Sequence, residues 1–333
     1  MRAAVLERAG LITMEHRPVP RPADDEVLVR VGSVGVCGSD VHYYRDGRIG
    51  SFVVDRPLVL GHEAAGTIVA AGRAVPGDRI GERVAIEPQR PCRVCAQCTA
   101  GRYNLCPDMQ FYATPPVDGA FCEYVTIQSP FAYRVPDQVS DDAAALFEPL
   151  SVAIWACRKA RIGPGARVLI TGAGPIGVIT AQVARAFGAA EVVVSEPNPA
   201  RRQLALRFGA ARAADPAADP GVPLAAADAL IECSGAPAAL AGGIGAVAPA
   251  GSVVLVGTGA DEVTLPLPLL QRRELNVTGT FRYAGTWPLA LHLAASGQVD
   301  LDGLVSARFD LAHAEDALTA DAAPGFLKAI VRP

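Results

Sequence analysis

The chain has 333 residues, half of them hydrophobic and 19% charged, with a net charge of -4 and a pI near 5.8. That is enough chain for two domains with separate cores, and a mean hydropathy of +0.26 excludes a disordered chain. The acidic balance argues against a nucleic-acid partner, no apolar run is long enough to cross a bilayer, and the charged start from Met1 to Arg8 does not read as a signal peptide.

The first half reads as β-rich: short β-branched segments such as 27–31 and 66–70 are punctuated by Pro57, Gly61, Gly77-Asp78 and Pro88. A first domain is expected over 1–150. From there strands alternate with helix-length stretches. Apolar runs at 167–171, 191–195, 229–233 and 252–256 flank a helix opening at Pro175 and others after it. Continuous apolar strands in that alternation predict an α/β domain over 151–283, with a parallel sheet covered on both faces. The segment 284–333 returns to mixed structure and is expected to rejoin the first domain.

Four of the eight cysteines, Cys92, Cys95, Cys98 and Cys106, fall within fifteen residues, while Cys37, Cys122, Cys157 and Cys233 are scattered. Four thiolates so close can wrap one tetrahedral zinc ion and leave no open position, which makes a structural site. A redox pair at Cys92/Cys95 or Cys95/Cys98, or a zinc ribbon on nucleic acid, is the alternative; the acidic balance counts against the ribbon.

After the strand ending at Thr171 comes Gly172-Ala173-Gly174-Pro175-Ile176-Gly177. A lone GxGxxG is weak, but this one follows an expected strand and opens an expected helix, the context of a dinucleotide site. Its glycines serve the turn, the approach to the pyrophosphate and close packing, and the phosphates sit on free N–H groups at the helix start. Glu196, at the end of the next strand, can accept both ribose hydroxyl hydrogen bonds and repels a 2′-phosphate. This favours NAD, while Arg201 and Arg202 keep NADP open. Cys37, His62, Glu63 and Glu148 each have a bland reading alone. Together, on loops of one domain beside a cofactor domain, they suit a catalytic zinc with an open position.

These blocks resemble a known family. Gly35-Val36-Cys37-Gly38-Ser39-Asp40-Val41-His42-Tyr43-Tyr44, Gly61-His62-Glu63-Ala64, Ala85-Ile86-Glu87-Pro88 and Gly101-Arg102-Tyr103-Asn104-Leu105-Cys106 look like the medium-chain sorbitol (L-iditol) and xylitol dehydrogenases. So do 113–119, Glu148-Pro149-Leu150-Ser151-Val152, Phe281-Arg282-Tyr283 and Thr286-Trp287-Pro288. The resemblance implies a GroES-like catalytic domain, a Rossmann domain, and hydride transfer from a polyol hydroxyl to NAD, giving a ketose. It assigns catalytic zinc to Cys37, His62 and Glu63, with Glu148 either ligating the metal or holding its water. Tyr43, Arg282 and Tyr283 would contact the polyol, and Phe111 and Thr114 would line the pocket. Glu196, Arg201, Val256, Gly257, Phe281 and Arg282 would contact the cofactor. A homotetramer in the cytoplasm, with neither nucleic-acid nor membrane partner, is expected. The stretch 215–228 is more Ala/Pro-rich than is usual there and is expected to replace a surface helix with a loop.

Chain spacing adds a proton path: Ser39 lies two residues from Cys37, and His42, whose imidazole can take up and release a proton, lies five away. Rival functions are a zinc alcohol dehydrogenase for an amino-cyclitol or threonine, and a non-catalytic dinucleotide-binding protein. A zinc-free quinone reductase would not need Cys37, His62 and Glu148 together, and no G-x-S-x-G elbow supports a hydrolase.

Overall fold

The computed structural model describes residues 1–219, 226–323 and 325–333. The chain divides into two compact units: 1–148 with 287–295 and 301–333, and 149–286 with 296–300.

The spine of the first unit is the strand Glu26–Gly35. Its sheet runs in the order Ala132–Arg134, Arg83–Ile86, Glu63–Ala71, Glu26–Gly35, Lys328–Arg332, Val305–Asp310, and Tyr124–Gln128 also pairs with the spine. All pairings are antiparallel except that of the last two strands. Val27, Val29, Val34, Ile68, Ile86 and Phe121 meet in one buried cluster, each worth about 1.5–3 kcal/mol for leaving water. Register then fixes what lies at the spine's far end. Gly35 stands opposite Glu63 on one side and Ile330 on the other. This pairing sets a C-terminal strand beside residues from the first fifth of the chain.

The second unit holds a six-stranded parallel sheet in the order 212–214, 191–195, 167–171, 227–232, 247–255, 276–279. The order reverses beside the strand Arg167–Thr171, the doubly wound arrangement of a Rossmann fold. Val168, Leu169, Ile170, Val193, Leu230, Ile231 and Val253 are fully buried, as apolar runs in a two-sided sheet must be. Pro175 takes the first position of the helix Pro175–Ala186, whose N-cap is Gly174. No side chain caps that end, so its N–H groups stay open to a ligand. The helix Pro199–Arg207 instead is closed by the Asn198 side chain, which accepts from the N–H groups of Ala200 and Arg201. In the expected loop at 215–228, residues 220–225 lie outside the described residues and Ala227 already begins a strand. No helix among the described residues is long and apolar enough to cross a membrane.

Candidate metal and dinucleotide sites

Cys37 follows the spine strand and precedes the helix Gly38–Asp46. Its sulfur, a His62 ring nitrogen and a Glu63 oxygen all lie within 4.8 Å of one another. Asp40, fully buried, ties the two loops that carry them. It accepts from the Cys37 N–H at 3.0 Å and the Gly61 N–H at 2.9 Å, and its Oδ1 lies 3.5 Å from His62 Nδ1. Glu63 Oε2 is buried and makes no hydrogen bond with any described residue. Gly35 makes room for it, since a Cβ there would stand 2.1 Å from that oxygen. A bare buried acceptor costs about 1–3 kcal/mol. A cation removes that cost, and thiolate, imidazole and carboxylate with one position open are a zinc donor set. The residues therefore fit a zinc ion.

The other Glu63 oxygen accepts from Lys328 Nζ, which also donates to the Val36 carbonyl at 2.9 Å. Both side chains are buried. Burial pushes the Lys328 ammonium down, but the charges of Glu63 and Cys37 outweigh it and the net direction is up. Burial also lowers His62, yet Asp40 and Cys37 carry it well above its usual 6.5. Burial raises Asp40, and the His62 charge and its hydrogen bonds reverse that. Before a metal can use the His62 ring as a donor, a proton must leave it.

Sequence reasoning assigned no role to Asp40 or Lys328. The available signal for Lys328 was its rarity: it is one of two lysines, set in the apolar run Leu327-Lys328-Ala329-Ile330-Val331. Glu87 was missed too. Fully buried, it accepts from Tyr103 Oη at 2.8 Å and Gln89 Nε2 at 3.0 Å, and burial pushes it up to about 7.

Glu148 is buried in the first turn of the helix Phe147–Lys159 and stands outside the three-donor group. Its charge bears on Lys328 and Glu87. Ser39 and His42 lie three apart on the helix Gly38–Asp46, hence on neighbouring turns of one face. Ser39 is half-buried; His42 is exposed, with Nδ1 3.1 Å from Asp46 Oδ2. Tyr43 is buried on the same helix, Phe111 places its ring 5.5 Å from that of His62, and Thr114 is half-buried. Phe281, Arg282 and Tyr283 belong to the second unit. Arg282 has a left-handed φ of 53° and its guanidinium lies 4.7 Å over the Phe281 ring, while Tyr283 is buried.

The sulfurs of Cys92, Cys95, Cys98 and Cys106 also lie within 4.8 Å of one another, and none forms a disulfide. Cys92 accepts from the N–H of Cys95 at 3.4 Å, and Cys106 accepts from the N–H of Cys92 at 3.4 Å. N–H groups of Val94 and Cys95 bring the Cys92 thiol down to about 7. Burial pushes Cys98 up to about 12, so the full set becomes thiolate only against a cation. This donor set fits a closed zinc site.

In the second unit Gly172 turns with φ +90°, and a Cβ on Gly177 would fall 1.9 Å from the Gly172 carbonyl oxygen. Glycine alone lets helix and turn approach so closely. A cavity of about 690 Å³ is lined by Thr171, Gly172, Gly174, Glu196, Arg201 and Ser234 among others. Pro175, Ile176, Gly177, Val256, Gly257, Phe281 and Arg282 are not on its wall. Val256 and Gly257 donate their N–H groups to the Glu232 carbonyl. Glu196 is buried and accepts from the N–H groups of Ala173 and Asn198, both at 2.8 Å. Arg202 is consumed by the carbonyls of Glu196 and Pro197 and by Asp215, at 2.8, 2.8 and 3.1 Å. Arg201 is therefore the arginine of this pair that faces the cavity.

Residues 23–137 match the alcohol dehydrogenase GroES-like domain and residues 175–296 the zinc-binding dehydrogenase domain. The chain belongs to the zinc-binding dehydrogenase family. Within that family it is similar to the sorbitol dehydrogenase of Bacillus subtilis (strain 168), 41% identical over 331 residues, covering 96% of this chain and 92% of that one. Among solved structures it is similar to the L-idonate 5-dehydrogenase of Escherichia coli K-12, with a TM-score of 0.92 and 28% identity over 100% of this chain and 98% of that chain. A short chain alcohol dehydrogenase of Escherichia coli CFT073, solved with NADH, has a TM-score of 0.92 and 27% identity over 100% of this chain and 99% of that one.

Proposed function

We propose that the chain oxidises a secondary hydroxyl of a polyol, of the sorbitol or xylitol type, to a ketose with NAD as hydride acceptor. One observation carries this reading. A Cys37/His62/Glu63 donor set with one bare buried oxygen sits in a chain 41% identical to a sorbitol dehydrogenase. Zinc, when bound, supplies a Lewis acid that draws the pKa of a hydroxyl down from about 16 toward neutrality.

The chain's residues do the rest. Cys37, His62 and Glu63 hold the metal, Asp40 fixes the loops of the first two, and Glu148 serves as a further ligand or as the holder of its water. Tyr43, Phe111, Thr114, Arg282 and Tyr283 bind and orient the polyol. The proton released from the hydroxyl passes to Ser39 Oγ and then to His42, whose exposed ring hands it to solvent. The open helix start after Gly174 takes the pyrophosphate, and Glu196 accepts from the ribose hydroxyls. The engagement of Arg202 with backbone carbonyls and Asp215 supports NAD over NADP. Cys92, Cys95, Cys98 and Cys106 hold a structural zinc. The working form is a cytoplasmic homotetramer. A spectrophotometric screen of polyols and ketoses with NAD(H) and NADP(H) tests the reading. Sorbitol or xylitol with NAD should be turned over fastest, and a preference for NADP, or for an amino-cyclitol or threonine, would reject it.

A further inference from the structure

We propose that Lys328 is a positioning residue of the metal set: it engages one oxygen of Glu63 so that the other is presented to the cation, and it supplies the counter-charge when no cation is there. This rests on the reading that Cys37, His62 and Glu63 hold zinc. Three observations carry it. First, the strand Lys328–Arg332 borders the spine strand, with Ile330 opposite Gly35, which itself faces Glu63. The lysine is thus held in place by sheet hydrogen bonds rather than by a loop. Second, of the ammonium's hydrogen-bond partners one is a member of the set and the other is the backbone next to a member. They are one oxygen of Glu63 and the carbonyl of Val36, the residue before Cys37. One side chain therefore engages Glu63 directly and holds the backbone that leads into Cys37. Third, the division of Glu63 is complete: the oxygen facing Lys328 is satisfied and the other is bare. Packing alone would place an apolar residue at this position, because Ala329, Ile330 and Val331 beside it are buried. A buried lysine is tolerated only where a partner charge stays with it.

The electrostatic consequence depends on occupancy. With zinc present, the cation compensates the charges of Glu63 and Cys37, and Lys328 is one of two neutralising groups. With zinc removed, Lys328 remains as the charge partner of Glu63. Lys328→Met keeps the apolar stem of the side chain and deletes its charge. The melting temperature of the protein stripped of its chelator-exchangeable ion should then fall by roughly 10 °C, the scale of breaking a buried pair in a chain of this size. The fall should be less than half as large in the zinc-loaded protein, and the set's zinc should pass to a chelator at least several-fold faster than from the natural protein. The double variant Lys328→Met/Glu63→Gln removes both charges. Its stripped form should regain most of the lost melting temperature while the set no longer holds zinc, and this variant decides the question if the single one does not fold. Equal falls in the loaded and stripped forms, no fall at all, or a double variant as unstable as the single one would overturn the role given to Lys328. Failure of the underlying metal reading looks different: the natural protein would then hold only the ion of the four-cysteine lobe.

Discussion

Cys92, Cys95, Cys98 and Cys106 come from one short stretch of chain, whereas Cys37, His62 and Glu63 are gathered, with Asp40 and Lys328, from both ends of it. In the first case the spacing carries the donors, and two short turns, Ala96–Thr99 and Tyr103–Leu105, suffice to aim the sulfurs. In the second the sheet carries them: Glu63 and Lys328 are brought to one place by their register against the spine strand. A local clasp answers to the loss of a donor. A site assembled by register answers as well to residues that donate nothing.

Gly35 gives the sharpest form of that difference. A methyl group there would stand 2.1 Å from Glu63 Oε2, whereas at Gly38, three residues on, it meets open space. Gly35→Ala should lower turnover by about 10³-fold or more, the scale of losing a metal-held Lewis acid, and elemental analysis should find one zinc fewer per chain. Gly38→Ala should leave both unchanged. An active, fully loaded Gly35→Ala protein would break the claim that register builds the site. Cys98→Ser should likewise remove one zinc, but from the lobe, and activity should then decline in step with unfolding rather than at once.

The next effect is of pH. His62 in the metal-free fold titrates above its usual 6.5, so its contribution to stability is full below that value and is lost as pH rises through the folded value. Zinc binding runs the other way, because each ligand must give up its proton. The gap in melting temperature between loaded and stripped protein should therefore widen from pH 6 to pH 8. A gap that narrows would contradict the protonation assigned to His62.

The smallest effect concerns Glu87, pushed up to about 7 by burial. The fold favours its protonated form, so stability is lost as pH rises from 4.5 through 7. Glu87→Gln should match the natural protein near pH 5. At pH 8 it should exceed it by at most about 3 kcal/mol in denaturant melts. Equal pH dependence in the two proteins would show that Tyr103 and Gln89 keep the carboxylate ionised.

What could be read from the sequence follows the same division. The cysteine spacing and the turn from Gly172 to Gly177 are local, and apolar runs such as Val192-Val193-Val194 announce strands buried on both faces. Cys37, His62 and Glu63 stood out as a candidate donor set through their motifs. Nothing local told that Lys328 meets Glu63, since 265 residues separate them and only strand order joins them. Asp40 and Glu87 sat inside quoted motifs, but their roles arise from burial and from bonds to distant N–H and O–H groups. The cofactor residues divide too: Glu196 and Arg201 reach the cavity wall, while Val256 and Gly257 bond to the Glu232 carbonyl.

The most direct measurement follows zinc per chain and sorbitol- or xylitol-dependent NADH formation through chelation and re-addition of zinc. Two ions per chain should be found at the start. Removal of the exchangeable one should abolish NADH formation, and added zinc should restore it in proportion to the ion regained. Full activity after that ion has gone would contradict a metal held by Cys37, His62 and Glu63 as the source of the chemistry.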